Sequence, residues 1–452
     1  MDLTNDPIPG LVRKIALPAS IGFFFNTMYN VVDTFFAGFI STDALAALSI
    51  SFPVFFIIIA MGSGISQGGT ALIANALGEK NPGRAHQICV QCISFGCLFS
   101  IALTFAGFLS APILFQILGA SGKYLEIALD YINLILCGTI FFVLQSICNA
   151  CLNAQGDTRS YRNVLIAGFL LNCVLDPWFM FGGLGIPAMG IKGIALATIL
   201  IQFLGMIYML HRLSLTKLWD GPILSMLAPS RIYREIAGQG FPASFNMVSV
   251  AIGIFLITWF ISMFSTESVA AYGIATRIEQ IVLLPTIGLN IAVLSMTGQN
   301  NGARKPGRIR DTLNTTMKYG LIMMLTGGFL LFFLAGPMMK AFTNDPIVVA
   351  HGVDYLRIAA ITLCSYVILF QTVNLLQGLK RPMFALVIGL SRQIIAPSIV
   401  FYLLAFKLGM RESGVWWGIF LVTWSAAIIT HFFGRHVLSK TLASRIESSR
   451  DG

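Results

Sequence analysis

Four polar side chains that could carry a proton or hold a cation lie within otherwise apolar stretches of the first half of the chain: Asp33, Asn172, Asp176 and Thr198. An ionisable side chain inside an apolar membrane span is costly, so it is a functional candidate by default. Burial disfavours the charged form of a carboxyl group, and a second carboxyl group nearby adds to this effect. Such a pair can load and release a proton, and the same oxygen atoms could instead hold Na⁺.

Twelve apolar stretches must position these groups. The chain has 452 residues, of which 56% are hydrophobic and only 11% are charged. A soluble protein needs more charge to cover its surface, whereas a membrane-spanning helix needs about 20 mostly apolar residues. We predict spans 1 to 12 at residues 11–40, 45–77, 87–118, 125–153, 163–183, 191–213, 238–263, 268–298, 312–338, 350–378, 383–406 and 414–437.

The basic residues between the spans predict the orientation. One side of the membrane would carry 21 lysines and arginines and the other side 6. The positive-inside rule places the richer side, and both termini, in the cytoplasm. These loops explain the net charge of +10, so we expect no nucleic-acid partner.

The spans bring the four polar groups to a similar depth. Span 1 runs outward, and Asp33 lies about seven residues from its outer end, which is roughly 10 Å at 1.5 Å per residue. Span 5 also runs outward with Asp176 at that depth, and Asn172 lies one turn deeper on the same face. Span 6 returns inward and carries Thr198. The alternative is a polar network that only holds helices together; the lack of a lysine or arginine at this depth favours a functional cluster.

Other polar groups extend the first half of the predicted path. Asn26 and Tyr29 lie deeper on span 1, and Asn149 lies on span 4. Pro18 lies inside span 1, where it removes a backbone hydrogen bond. It predicts either a hinge that couples protonation of Asp33 to bending or a static kink.

The two halves of the chain repeat. Pro18-Ala19-Ser20 recurs as Pro242-Ala243-Ser244 at an offset of 224, and further matches at Ala46-Ala47 and at Gly78 to Arg84 share this offset. Gln155-Gly156 recurs as Gln377-Gly378 at an offset of 222. A nearly constant offset indicates an internal repeat. Because each copy has six spans, both enter from the same side and the repeat is parallel. We predict an N-terminal lobe at residues 1–213, a cytoplasmic linker at 214–237 and a C-terminal lobe at 238–452.

The second half lacks the acidic cluster of the first. Span 8 carries Arg277 and Glu279, and span 11 carries Arg392. We interpret these charges as mutual neutralisation within the lobe, with Arg392 as a partner of Glu279.

With these residues the chain resembles the multidrug and toxic compound extrusion (MATE) family over nearly its whole length. The matching pieces are Pro18, Asp33, Ala44-Leu45-Ala46-Ala47-Leu48, Gly78 to Arg84, Val269-Ala270-Ala271-Tyr272-Gly273 and Gly298-Gln299-Asn300-Asn301-Gly302-Ala303. The acids in spans 7 and 10 that mark the NorM-like branch are absent. The set Asp33, Asn172, Asp176 and Thr198 instead looks like the DinF-like branch.

The resemblance implies an all-α, V-shaped fold of twelve transmembrane helices in two lobes, alternating access, and export of organic cations or amphipathic drugs. In the DinF-like branch the cluster of the first half is implicated in coupling to a cation or proton. The resemblance assigns Asn26, Tyr29 and Asn149 to substrate contact.

We therefore predict a multidrug antiporter of the cytoplasmic membrane that exchanges its substrate for H⁺ or Na⁺. It would be a monomer with no cofactor beyond the coupling ion and no bound metal apart from Na⁺ at the four-residue cluster. Its partners would be small-molecule drugs and membrane lipids.

Two alternatives stand beside this prediction. A flippase for lipid-linked precursors, from the same superfamily, would need a basic cavity for phosphate, and Arg277 and Arg392 are the only candidates. A membrane-embedded enzyme would need a cluster of Asp, His or Ser side chains at a loop-facing site, and the sequence has none. We therefore predict that the chain is not an enzyme.

Overall fold

Helices form every regular element in the part of the chain that the computed structural model describes, which is residues 1–40, 42–183, 185–220 and 231–448, without the side chains of 42–45 and 442–448. The helices are α1 (Ile8–Ile40), α2 (Thr42–Gly78), α3 (Pro82–Ile117), α4 (Gly122–Cys137), α5 (Thr139–Ala154), α6 (Arg159–Phe181), α7 (Ile191–Ser214), α8 (Arg231–Ser262), α9 (Thr266–Gly302), α10 (Pro306–Lys340), α11 (Pro346–Gly378), α12 (Met383–Leu390), α13 (Ala396–Phe401) and α14 (Arg411–Ser448). Short 3₁₀ or π segments lie at Lys217–Trp219, Ser391–Ile395 and Tyr402–Lys407.

The helices account for all twelve predicted spans. Eleven of them are long and apolar enough to cross a membrane, counting Met383–Lys407 as one. The twelfth span is the pair α4 and α5, which meet at an angle of 45°. The predicted all-α membrane fold is therefore confirmed.

Four tight turns on the predicted cytoplasmic side end α2, α5, α9 and α11. In each turn one residue has a positive φ, and the N–H of the next residue donates to the carbonyl five residues earlier at 2.8–3.1 Å. This is the Schellman arrangement, which satisfies carbonyls that the end of a helix leaves free. The positive-φ residues are Lys80, Gly156, Arg304 and Lys380, with φ of 54°, 84°, 56° and 61°.

These turns correct one part of the predicted repeat. Lys80 and Arg304 are related by the offset of 224, and so are Gly156 and Lys380. The predicted pairing of Gln155-Gly156 with Gln377-Gly378, at an offset of 222, is therefore wrong. The shared Gln-Gly letters are out of register, and the cap geometry equates Gly156 with Lys380.

The helices pack into two compact units that do not coincide with the sequence halves. Residues 21–244 form one, which we call the N-terminal unit, and residues 1–20 with 245–452 form the other, the C-terminal unit. The predicted lobes at 1–213 and 238–452 thus differ from the packed units at the beginning of each half. The start of α1 belongs to the C-terminal unit, and the start of α8 belongs to the N-terminal unit.

Two serines, related by the repeat, hold these exchanged segments. Ser20 donates to the carbonyl of Pro285 at 3.1 Å within the C-terminal unit. Ser244 donates to the carbonyl of Met61 at 3.0 Å within the N-terminal unit. The two donors are equivalent in the repeat, and the two acceptors are equivalent at the same offset. Glycines without room for a Cβ, Gly288 and Gly64, lie against the two serines, so small residues allow each close helix crossing.

The predicted linker at 214–237 is only partly a connector. His86 Nδ1 lies 2.8 Å from the carbonyl oxygen of Leu218, which anchors the chain after α7. Residues 221–230 lie outside the described residues. Residues 231–237 are the first turns of α8 rather than part of a linker, and Ile236 is buried in the core of the N-terminal unit.

Candidate functional site

Helices α1, α6 and α7 of the N-terminal unit position the predicted acidic cluster. Asn172 and Asp176 lie four residues apart on α6 and therefore share one face. Thr198 lies on α7, which approaches α6 closely because Gly193 packs against the backbone of Phe179. A Cβ at Gly193 would lie 2.6 Å from the carbonyl carbon and oxygen of Phe179, so only glycine allows this spacing.

The structure brings the two aspartates together. Asn172 Nδ2 donates to Asp33 Oδ1 at 2.8 Å, which joins α6 to α1. The carboxyl groups of Asp33 and Asp176 are also within hydrogen-bonding reach of each other. Asp176 and Asn172 are fully buried and Asp33 is 8% exposed. The predicted meeting of these three side chains is thus present in the described structure.

The cluster has an excess of buried hydrogen-bond acceptors. Among the described residues, no ion pair within 4 Å involves either aspartate. Both carboxylate oxygens of Asp176 and the Oδ1 of Asn172 are buried without a donor in that part of the chain. A buried acceptor without a donor costs about 1–3 kcal/mol, and more when it is charged. A proton shared by the two carboxyl groups, or a cation held by these oxygens, would satisfy them.

A tyrosine on each of two helices borders the cluster. Tyr29, one turn before Asp33 on α1, donates to Thr198 Oγ1 at 3.1 Å and so links α1 to α7. Tyr131 on α4 is buried and interacts electrostatically with both aspartates. Sequence reasoning missed Tyr131. The only available signal was an aromatic hydroxyl inside an apolar span.

The remaining predicted residues lie on the expected helices but are not joined to the cluster by a hydrogen bond among the described residues. Asn26 is partly exposed on α1, two turns before Asp33. Asn149 is 9% exposed on α5, and its Oδ1 is buried without a donor in the described structure. Pro18 lies within α1, two residues before the point where that helix passes from the C-terminal to the N-terminal unit.

Two charged side chains of the second half interact without forming a close ion pair. Glu279 is buried and accepts a hydrogen bond from Tyr355 at 2.5 Å. Arg392, its predicted partner, interacts with it electrostatically, although no ion pair within 4 Å joins the two side chains in the described part of the chain. Aromatic residues border the acid as well, since Tyr272 packs edge-to-face on Tyr355. Arg277 is exposed on α9.

Comparison with known proteins finds relatives that match most of the length of the chain. The MatE family model matches residues 18–178 and 242–403, two stretches whose first residues are related by the offset of the repeat. The FAD transporter of Shewanella oneidensis is 28% identical over 404 residues, which is 87% of each chain. The probable multidrug resistance protein NorM of Thermotoga maritima is 26% identical over 352 residues, which is 76% of this chain and 75% of the relative.

Solved structures also match over nearly the whole length of the chain. A multidrug resistance MATE family transporter of the MOP superfamily, in its outward-facing conformation, aligns with a TM-score of 0.90 at 25% identity over 98% of both chains. Similarity of this extent covers both copies of the repeat.

Proposed function

Because the chain belongs to the MatE family, the multidrug and toxic compound extrusion transporters that its sequence resembles, we propose that it is a cation-coupled exporter of organic cations or amphipathic drugs. Transport across a membrane is the common activity of its named relatives, of which several are multidrug export proteins. The coupling ion, the DinF-like branch and the substrate are parts of the proposal.

The observation that supports ion coupling is the buried pair of carboxyl groups, Asp33 and Asp176. The hydrogen bond from Asn172 links α6 to α1 at this pair, which has no basic partner among the described residues. Two carboxyl groups in one buried site do not both ionise without compensation. A proton or Na⁺ supplies the missing positive charge. The site therefore changes its charge when the ion binds or leaves, which is what an ion-coupled transporter requires.

Ion binding and substrate binding are coupled through the helices. Loss of the ion leaves uncompensated carboxylate charge beside the Asn172 amide and the Tyr29–Thr198 bond, and we propose that this rearranges α1, with Pro18 as the hinge. Asn26, Tyr29 and Asn149 would contact the substrate. The ion drives export only through unequal substrate affinity in the two states. One charge crossing 100 mV supplies about 2.3 kcal/mol.

Efflux from proteoliposomes tests this assignment. Purified protein would be reconstituted with ethidium inside, and a pH gradient or a Na⁺ gradient would be imposed separately. We expect Asp33→Asn and Asp176→Asn each to lower gradient-driven efflux by about tenfold or more. The matched control is Asp130→Asn in the same unit, because Asp130 is half-exposed and pairs with Lys192 at 3.1 Å. Undiminished efflux in both cluster variants refutes the proposal, and the gradient that drives wild-type efflux identifies the ion.

A second candidate substrate comes from the relatives. The FAD transporter of Shewanella oneidensis is as extensively similar as the multidrug proteins, so export of a flavin nucleotide is an alternative to export of drugs. The lipid-linked-precursor flippase stays a third candidate, with Arg277 and Arg392 as its basic groups. Competition of each substrate class with ethidium efflux separates the three.

The setting of the transporter completes the proposal. It is an integral multi-pass membrane protein, and the 21 to 6 distribution of basic loop residues supports a cytoplasmic location for both termini. We propose the cytoplasmic membrane as its site and a monomer, in contact with lipid, as its working form. Cysteine labelling of either terminus from outside intact cells would contradict this orientation.

A further inference from the structure

An arginine near the middle of an apolar span is a strong positive charge that the coupling cluster leaves unexplained. Arg392 lies about nine residues from the beginning of Met383–Lys407, or about 14 Å at 1.5 Å per residue. An arginine side chain at this depth does not reach the aqueous interface from inside the span. Its residue is only partly buried. A charged group at such depth must face polar protein groups, water or a polar ligand rather than lipid chains.

Two aromatic rings hold the guanidinium. Tyr366 and Phe370 lie four residues apart on α11 and stack with their centroids 5.7 Å apart and their planes at 13°. The Arg392 Cζ lies 5.8 Å from each centroid. A guanidinium over a ring face is stabilised by the ring quadrupole. Tyr366 also hydrogen-bonds to Arg392 through its hydroxyl group. A guanidinium has five N–H donors, so others remain for a planar acceptor.

No carboxylate neutralises this guanidinium at close range in the described part of the chain. Glu279 is engaged by Tyr355, and no ion pair within 4 Å includes Arg392 among those residues. Tyr366 and Glu279 act on it electrostatically without forming such a pair. A buried or half-buried arginine is strongly favoured by a bidentate carboxylate or phosphate partner. The C-terminal unit contains the donor half of such a pair.

The backbone departs from regular α-helical geometry around Arg392. Ser391–Ile395 is a π-helical turn within an otherwise α-helical span, and such turns occur frequently at functional sites. Before and within this turn α8 approaches closely: Asn246 packs against Gly389, and Gln393 packs against Gly253. Amide groups therefore accompany the guanidinium along the span, which gives the site uncharged hydrogen-bonding groups as well as one positive charge.

We propose that Arg392, packed against Tyr366 and Phe370, is a binding site for the oxyanion of amphipathic substrates, that is, for a carboxylate or phosphate on an aromatic body. Nothing in the acidic cluster of the N-terminal unit could bind such a group, because that cluster is rich in acceptors. The two units thus contain sites of opposite charge. The inference rests on the proposed transport function for its purpose, but binding to Arg392 is separable from ion coupling.

Equilibrium binding of three flavins to the purified full-length protein tests this site. Riboflavin, FMN and carboxymethylflavin share one ring system and carry no acid, a phosphate and a carboxylate. Binding would be followed by quenching of flavin fluorescence, without any ion gradient. We expect at least one anionic flavin to bind about tenfold more tightly than riboflavin, because charge-assisted bonds are the strong ones. The relative affinity of FMN and carboxymethylflavin shows which oxyanion the site prefers.

Variants of Arg392 test whether this residue causes the preference for the anionic flavin. Arg392→Gln should abolish the preference for the anion, and Arg392→Lys should keep only part of it because a lysine cannot form the planar fork. The matched control is Arg357→Gln, since Arg357 also lies over a ring, Phe332 at 5.5 Å, and belongs to α11 of the same unit. That variant should bind all three flavins as the wild type does.

The outcomes are distinct. Equal binding of riboflavin and both anions by the wild type overturns the site, as does failure of both anions to bind saturably. This comparison needs no variant, so misfolding of Arg392→Gln cannot obscure it. An anion preference that survives in a folded Arg392→Gln protein also overturns it. Failure of ion coupling would appear only in the ethidium experiment. Asp33→Asn should lose efflux in that experiment and keep the preference for the anion in flavin binding.

Discussion

A single methyl group at Gly193 should separate α7 from α6 and weaken the acidic cluster without touching any of its side chains. The Cβ of an alanine at Gly193 would lie 2.6 Å from the carbonyl carbon and oxygen of Phe179 and 2.8 Å from the Met180 nitrogen. Ordinary contact begins at 3.4 Å, so the backbones must part by about 0.8 Å. All three atoms belong to the backbone of α6, which cannot turn aside as a side chain would.

The size of the effect follows from two opposing terms. Overpacking costs about 1–3 kcal/mol, whereas alanine is favoured over glycine in a helix by about 1 kcal/mol. The net loss of stability should be up to about 2 kcal/mol. A shift of this size would also lengthen the Tyr29–Thr198 bond beyond its present 3.1 Å, past the range of a hydrogen bond. Ion-driven efflux should then fall by about fivefold, which corresponds to about 1 kcal/mol.

Thermal unfolding and ethidium efflux measure the two effects. The matched control is Gly38→Ala in α1 of the same unit, because a Cβ at Gly38 meets nothing within 4 Å. We expect Gly38→Ala to leave efflux unchanged and to stabilise slightly, whereas Gly193→Ala lowers both quantities. A Gly193→Ala protein as stable and as active as Gly38→Ala would show that the close approach of α6 and α7 does not position the cluster.

Two further predictions concern single contacts. Tyr29→Phe removes the hydrogen bond to Thr198 and should lower efflux about fivefold, as Gly193→Ala does. Thermal stability should be nearly unchanged, because the ring and its packing remain. A loss of stability equal to that of Gly193→Ala would show that packing, and not the hydrogen bond, is affected. Lys380→Gly should raise the free energy of unfolding by about 1 kcal/mol, since the positive φ of this residue favours glycine. Gly156→Ala at the equivalent turn should lower the free energy of unfolding. If thermal denaturation shows both changes with the same sign, the positive φ is not a source of strain.

Sequence reasoning could find the helices and the acidic cluster because both depend on local properties. Twenty consecutive apolar residues specify a membrane helix whatever packs around it. Asp33, Asn172 and Asp176 stood out because a polar group in such a stretch has few harmless explanations. Their depth followed from the rise per residue of the helix. Their contact therefore required only that α1 and α6 be neighbours.

What depends on packing between distant segments could not be read from the sequence. The Tyr355 hydroxyl lies 76 residues from its acceptor Glu279, and nothing near either residue specifies the other. Opposite charge predicts Arg392 as a partner of Glu279, but it does not predict the two aromatic rings that pack against the guanidinium. Tyr131 was missed because an aromatic residue inside an apolar span is ordinary. The offset of 222 was wrong because matching letters do not report cap geometry.

The exchange of helix beginnings between the two units has a consequence for biosynthesis. The N-terminal unit is continuous in sequence from residue 21 to residue 244, so it has all its parts once α8 has begun to leave the ribosome. Residues 1–20 are made before the N-terminal unit but belong to a unit whose other members are made after it. Residues 1–20 must therefore remain without their partners until α9, which contains Pro285, has been made. A gene divided within residues 221–230 would yield two fragments, and neither would contain a complete unit on its own.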